Sequence, residues 1–129
     1  MCNTYQKKGG IKTKAGKDRI VPIHSKIVQL VQRRKDQGNK YLFSYEGKKM
    51  SNTKYYEFWN TIMERLGMEH TPHECRHTFR SRLDSAGANK VCIDLMMGHK
   101  SKEVGERIYT HKTIEELKEA IELIDATLN

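Results

Sequence analysis

Proline, cysteine and long apolar runs are scarce in this sequence of 129 residues. Only two prolines occur, Pro22 and Pro72, each at a predicted element boundary. The three cysteines, Cys2, Cys75 and Cys92, match no disulfide or metal-binding spacing, which predicts reduced, partly buried thiols. No apolar run approaches a membrane span, and no signal peptide or repeat is visible. These absences favour one cytoplasmic domain over a secreted disulfide scaffold, a membrane protein or a repeat array.

Charge is abundant, and most of it is positive. Lys and Arg number 24 against 16 Asp and Glu, so the net charge is +8, while hydrophobic residues make up only 36%. Basic side chains displace the counterions held on nucleic-acid phosphates, so this balance favours a polyanionic partner. A solvated basic surface without a partner is the alternative that charge alone leaves open.

The chain opens with a predicted β-hairpin from Tyr5 to Ile23, turning at Lys14 to Asp18. Ser25 is predicted to cap a helix that runs until Gly38. The next helix is capped by Ser51 and has apolar residues three and four apart, which predicts a core face rather than a base-stacking surface. These residues are Tyr55, Phe58, Trp59, Ile62, Met63 and Leu66.

The helix after Gly67 has a clear start. Thr71, Pro72 and Glu74 predict an N-cap, a first helical position and a capping box, with the helix continuing to about Ala86 before Gly87. One of its faces is predicted to point to the core. That face comprises Cys75, Phe79, Leu83 and Ala86.

Three shorter helical segments complete the chain. Asn89 is predicted to start one that Gly98 stops, Ser101 to cap one that carries Tyr109, and Thr113 to cap the last. The last helix, Thr113 to Leu128, has one apolar seam. The predicted fold is therefore α+β and mostly helical: a small N-terminal β-hairpin followed by about six helices.

A second face of the Thr71 helix carries His73, Arg76, His77 and Arg80. A helix N-terminus binds anions, and Arg can bond two phosphate oxygens at once, so this stripe suits a phosphate. A solvated basic face is the competing interpretation. Zinc is a weaker one, because the His-x3-His spacing of His73 and His77 has no matching cysteine pair.

Two further residues gain meaning only in combination with this stripe. His99 follows a helix stop, and Tyr109 ends a predicted helix before a loop. Alone, a tyrosine in such a place is usually a packing residue. His99 stands 23 residues after Arg76, and Tyr109 stands 10 residues after His99.

In this order and spacing, the segments from His73 to Phe79, from Met97 to His99 and from Arg107 to His111 resemble the tyrosine recombinases, the phage-integrase family. The resemblance covers nearly the whole chain. Residues 13–22 look like the family's β-hairpin, which carries a lysine acid at its turn. Lys14 is the best match for that lysine, with Lys17 or Lys12 as alternatives.

The resemblance implies metal-free transesterification at a DNA phosphate, without a cofactor. Tyr109 would be the nucleophile and His73 its general base. Arg76 and His99 would stabilise charge on the non-bridging oxygens. Lys14 would protonate the leaving 5′-hydroxyl.

One family element has no counterpart. Another catalytic arginine is expected before the hairpin, and residues 1–10 contain none. The family's N-terminal DNA-binding domain is not found either. The expectation is that residues 1–129 form a truncated catalytic domain, inactive alone, of a bacterial or phage-encoded enzyme.

The implied partners are double-stranded DNA and further copies of the protein, four on two duplexes. The last helix would pack either on its own domain or on a neighbouring protomer. Two other functions stay open: a non-catalytic DNA-binding module and a type IB topoisomerase-like enzyme.

Overall fold

The computed structural model describes residues 4–6, 19–99 and 112–124, with the backbone alone at 4–6. The chain divides into two compact units. Residues 1–27 and 78–129 form the first unit, and residues 28–77 form the second. The predicted sites Lys14 and Tyr109, and the predicted helix that begins at Ser101, lie outside the described residues.

The first unit contains a small antiparallel sheet. Strand β1 spans Thr4–Gln6 and strand β2 spans Ile20–Pro22, with Tyr5 paired to Val21. The antiparallel pairing predicted for this segment is confirmed, although its turn lies outside the described residues. β2 ends at Pro22, because proline has no N–H to continue a ladder.

Helix α1 spans Ser25–Asp36. The prediction that Ser25 caps it is wrong: the Lys26 N–H bonds instead to Nδ1 of His24, at 3.1 Å. The Ser25 N–H and hydroxyl both donate to the Glu122 carboxylate, each at 2.7 Å. Nε2 of the buried His24 lies 3.0 Å from the Ile124 carbonyl oxygen. The start of α1 is thus bound to the C-terminal part of the chain within the first unit.

A short hairpin in the second unit has no counterpart in the sequence prediction. Strand β3, Ser44–Tyr45, pairs with β4, Lys48–Lys49. The two residues between them, Glu46 and Gly47, both have positive φ, at 49° and 73°. Two such residues form the tight turn that suits the twist of a hairpin, and the glycine at the second position is the signal that pointed to it.

Helix α2 spans Asn52–Leu66 and has the predicted boundaries. Ser51 Oγ accepts the Lys54 N–H at 3.1 Å, and Gly67, with φ of 62°, ends the helix. The predicted core face is wrong, since no residue of α2 is buried. Its apolar residues are exposed or half-buried, and Leu66 is 61% exposed. The spacing of apolar residues indicates that a helix has an apolar stripe, but it does not indicate which surface, if any, covers that stripe.

Three more helices follow among the described residues. Helix α3 spans Pro72–Ser85, α4 spans Lys90–Met97 and α5 spans Ile114–Glu122. Asn89 Oδ1 caps α4 by accepting the Val91 N–H at 2.9 Å. The capping box predicted for α5 is confirmed in both directions.

The hydrophobic core of the first unit is formed by α3, α4 and α5, with β2 packed beside it. Its buried residues are Leu83, Cys92, Ile93, Met96, Met97, Leu117, Ala120 and Ile121. Residues 114–122 therefore pack on the core of their own unit.

Two parts of the predicted packing need correction. The first concerns the face of α3 that was predicted to point to the core. On that face Leu83 is fully buried and Phe79 packs against the core cluster. Cys75 and Ala86 are exposed instead. The expectation of partly buried thiols accordingly fails for Cys75. It holds for Cys92, whose thiol pKa is raised by burial.

The described structure is mostly helical with small antiparallel sheets, as the α+β prediction states. Within residues 4–6, 19–99 and 112–124, no helix is long and apolar enough to cross a membrane.

Candidate active site

The first turn of α3 is built by a local hydrogen-bond arrangement in the second unit. The Glu74 carboxylate accepts both the backbone N–H and the hydroxyl of Thr71, the latter at 2.9 Å. Only this half of the predicted capping box forms as expected, because the Glu74 N–H bonds to the Thr71 carbonyl. Pro72 takes the first helical position, where its missing N–H costs nothing.

These bonds perturb the Glu74 carboxyl strongly. The backbone N–H of Thr71, then its hydroxyl and then His70, lower the pKa of Glu74 from 4.5 to about 2. The carboxylate also lies at the positive end of the helix dipole. It therefore offsets part of the positive potential from which the sequence analysis predicted phosphate binding. His73 therefore lies in a first turn that already carries one fixed negative charge, and Arg76 follows in the next turn.

Helix α2 contributes to the position of this turn. The indole Nε1 of Trp59 donates a hydrogen bond to the His70 carbonyl at 2.6 Å, and His70 Nδ1 lies 3.2 Å from the Glu74 carboxylate. Trp59 thus has a structural role, and its N–H is satisfied by the segment that leads into α3.

His73 and Arg76 follow within the first two turns of α3. His73 is exposed and Arg76 is half-buried. The His73 ring meets the His77 ring edge to face, with centroids 5.0 Å apart. This contact is the one expected for residues four apart on a helix. It holds the imidazole proposed as a base against a second histidine.

Arg80 lies in the first unit and contacts His99 there. Its Nη1 is 3.0 Å from His99 Nδ1 and 3.7 Å from a carboxylate oxygen of the buried Asp94. Sequence reasoning placed Arg80 on the basic stripe but assigned it no chemistry. Its partners are distant in sequence, so the helical spacing from His73 was the only available signal.

The position of His99 follows from the end of α4. Gly98 has φ of 69° and donates its N–H to the Leu95 carbonyl, while the His99 N–H donates to the Asp94 carbonyl at 2.9 Å. This pair of bonds is the Schellman arrangement, which needs a left-handed residue and so favours glycine. The predicted stop at Gly98 is therefore what directs the exposed His99 away from the helix.

The return strand of the sheet reaches the same end of α4. Arg19, which directly precedes β2, donates from Nη1 to the Met97 carbonyl at 3.0 Å. Met97 stands two residues before His99, and Arg19 stands five residues after Lys14. Arg19 Nε is buried and has no hydrogen-bond partner in the described part of the chain.

Of the predicted site residues, His73, Arg76 and His99 are described. His73 and Arg76 belong to the second unit and His99 to the first. Among the described residues, no group of three or more His, Cys, Asp or Glu side chains has the arrangement of a metal site.

Comparison with known proteins identifies the family of this chain. The model of the "Phage integrase family" matches residues 2–116, a range that includes all five predicted site residues. The chain belongs to the phage integrase family. No solved structure matches this phage integrase family member.

Curated relatives of this integrase-family chain are named tyrosine recombinases. It is 32% identical to tyrosine recombinase XerA of Pyrococcus furiosus over 117 residues, covering 84% of this chain and 40% of the relative. It is 28% identical to tyrosine recombinase XerD of Corynebacterium glutamicum, covering 82% of this chain and 38% of the relative. The chain thus spans about two fifths of the length of these relatives.

Proposed function

We propose that this chain carries the catalytic residues of a site-specific DNA recombinase that acts through a 3′-phosphotyrosine intermediate. One observation carries the proposal. The family model matches residues 2–116, a range that contains His73, Arg76, His99 and Tyr109, and the relatives are named tyrosine recombinases.

In the proposed reaction the Tyr109 hydroxyl oxygen attacks a DNA phosphorus. A bond forms between that oxygen and phosphorus, the bond to the 5′ oxygen breaks, and a 3′-phosphotyrosine and a free 5′-hydroxyl result. Attack by the 5′-hydroxyl of another strand reverses the step and exchanges the strands. The phosphotyrosine linkage retains the bond energy, so the chemistry needs no nucleotide cofactor.

Two protons must move in this step. A tyrosine hydroxyl has an ordinary pKa of about 10, so it needs a base, and His73 is proposed to accept its proton. Lys14 is proposed to donate a proton to the leaving 5′ oxygen. The Arg19 bond to Met97 brings the start of β2 beside the segment that leads to His99, and Lys14 stands five residues before Arg19 in the sequence.

Negative charge on the non-bridging oxygens is the main barrier to the reaction. Arg76 is proposed to hold these oxygens by paired hydrogen bonds, which its planar guanidinium suits. His99 is proposed to donate one further hydrogen bond. The exposure of His99 at the end of α4 supports this role.

We expect residues 1–129 to cleave DNA poorly alone. The family pattern includes another arginine before the hairpin, whereas the first arginine here is Arg19. Double-stranded DNA is the proposed substrate, and recombination is proposed to require four copies of the protein on two duplexes.

The test uses protein expressed from its full reading frame and a pool of nicked suicide duplexes of randomised sequence. A covalent protein–DNA adduct is expected, with the DNA on Tyr109 by peptide mapping. Tyr109→Phe should abolish the adduct, while Tyr56→Phe, a substitution of an exposed tyrosine on α2, should retain it.

Three results would count against parts of the proposal. An adduct that survives Tyr109→Phe would show that the nucleophile is another residue. DNA binding without any adduct would favour a non-catalytic binding module. Robust cleavage by residues 1–129 alone would contradict the need for a further arginine.

A further inference from the structure

We propose that Arg80, held by Asp94, is a positioning residue that fixes His99 in the tautomer with its proton on Nε2. The inference rests on the proposed function in one respect, namely that His99 acts as a hydrogen-bond donor to phosphate. The positioning itself can be measured without DNA.

The tautomer follows from the donor inventory of the two side chains. Arginine is always protonated and has only donors, so the 3.0 Å contact between Arg80 Nη1 and His99 Nδ1 makes Nδ1 the acceptor. A neutral imidazole carries one proton. With Nδ1 accepting, that proton is on Nε2.

Asp94 holds both partners of this contact. Its carboxylate lies 3.7 Å from Arg80 Nη1, and its backbone carbonyl accepts the His99 N–H at 2.9 Å. The Asp94 side chain is only 8% exposed, and a buried carboxylate requires a paired cation. Arg80 is therefore directed to this position by a charge that α4 itself provides.

The consequence concerns the chemistry proposed for His99. In the tautomer set by Arg80, Nε2 has a proton and can donate to a non-bridging phosphate oxygen. In the other tautomer, Nε2 has a lone pair that would repel the same oxygen. A donor fixed before the substrate arrives needs no reorganisation during the reaction, which is how preorganised electrostatic groups accelerate it.

The first test measures the tautomer directly on the 129-residue chain. Two-dimensional long-range ¹H–¹⁵N spectra are recorded at a pH about two units above the ordinary histidine pKa of ~6.5, so that imidazoles are neutral. We expect His99 to show protonated Nε2 and unprotonated Nδ1. A His99→Gln spectrum assigns the signals.

Variants then test whether Arg80 causes this state. Arg80→Met should convert the His99 signals to a mixture of tautomers, and Arg80→Lys, which keeps a donor, should restore part of the Nε2–H population. Asp94→Asn should have an effect in the same direction as Arg80→Met. Arg82→Ala is the matched control, because Arg82 is an exposed arginine on the same helix. It should leave the tautomer unchanged.

A wild-type His99 that is protonated on Nδ1, or an Arg80→Met variant with unchanged signals, would overturn the inference. Circular dichroism and the methyl signals of Leu83 identify variants that have lost the fold. If Arg80→Met unfolds the domain, Arg80→Lys and Asp94→Asn still decide the outcome.

A second readout links the tautomer to the reaction. In protein from the full reading frame, Arg80→Met should slow covalent adduct formation by roughly tenfold to a hundredfold, less than the loss of an entire oxyanion donor. Arg80→Lys should recover part of the rate. If adducts form but their rate does not follow the tautomer, the inference fails. If no adduct forms with wild-type protein, the proposed function fails.

Discussion

At the first turn of α3, the Glu74 carboxylate is stabilised in its charged form by Thr71 and His70. The bonds are made to oxygens that must be deprotonated to accept them, which is why the pKa falls to about 2. This residue stands beside His73, so its charge is part of the field in which the proposed base works.

A pH dependence follows from this shift. A carboxyl whose folded pKa is depressed contributes stability above its unfolded pKa and loses that contribution as the pH falls toward the folded value. The stabilisation from Glu74 should therefore be complete above pH 4.5 and disappear as the pH approaches about 2.

Side-chain ¹³C NMR titration measures the effect directly. The Glu74 carboxyl should titrate well below 4.5, and Thr71→Val should move its midpoint upward, because the hydroxyl bond is removed. Glu69, in the loop before α3, provides the comparison within the same spectrum. A Glu74 midpoint at 4.5 would contradict the described geometry.

At the scale of elements, helices with equally clear caps differ in how much of their surface is buried. Helix α5 has a full capping box and buries Leu117, Ala120 and Ile121 in the core of the first unit. Helix α2 has equally clear caps but no buried residue. Its exposed face includes Tyr55, Phe58, Ile62 and Leu66.

The cap of α5 should be important for stability. Thr113 Oγ1 accepts the Glu116 N–H at 3.2 Å, and the Glu116 carboxylate accepts the Thr113 N–H at 2.9 Å. Thr113→Ala removes one of these bonds and should lower the free energy of unfolding by about 1 kcal/mol. Urea denaturation followed by circular dichroism measures the change.

Thr61→Ala supplies the matched control. Thr61 is an exposed residue inside α2, and its hydroxyl donates to the Glu57 carbonyl of the same helix. Alanine has the higher helix propensity there, so this variant should not be destabilised. Equal destabilisation of both variants would show that loss of the hydroxyl, rather than loss of the cap, is responsible.

The elements were predicted well where their signals are local. The starts at Ser51, Asn89 and Thr113 and the stops at Gly67 and Gly98 are as expected. Each depends on contacts within a few residues. One exception is α3, where only half of the capping box predicted at Thr71 forms. Another is α1, where His24 takes the capping role predicted for Ser25. The reason is a contact with a residue distant in sequence, because the Ser25 hydroxyl donates to the Glu122 carboxylate.

At the scale of the whole molecule, the net charge of +8 predicts how DNA should bind. Each phosphate neutralised contributes about −0.9 to the slope of log affinity against log salt. The chain should therefore bind a short labelled duplex weakly, with affinity that falls steeply as salt rises. Fluorescence anisotropy over a range of salt concentrations measures the slope.

Two variants separate binding from chemistry in this measurement. Arg76→Ala should make the slope about one unit shallower, because it removes the phosphate contact proposed for Arg76. Tyr109→Phe changes no charge and should leave the slope unaltered. A wild-type affinity that is independent of salt would contradict an electrostatic DNA interface.

The candidate site was predicted only in part. The order of His73, Arg76, His99 and Tyr109 is readable along the chain, and the family match covers it. The roles of these residues, including those of Tyr109 and Lys14, stay predictions. Arg80 was placed on the basic stripe without a chemical role, because its partners Asp94 and His99 follow 14 and 19 residues later.

The amino-acid sequence was sufficient for the helix caps, the helix stops, the α+β class and the family, since all of these depend on near neighbours or on ordered motifs. Folding was needed to bring Arg80 to His99, to join Ser25 and His24 to the end of the chain, and to bury α5 while the apolar face of α2 stays exposed. The physical reason is the same in each case. A long-range contact depends on which surfaces meet, and residue periodicity describes a surface without naming its partner.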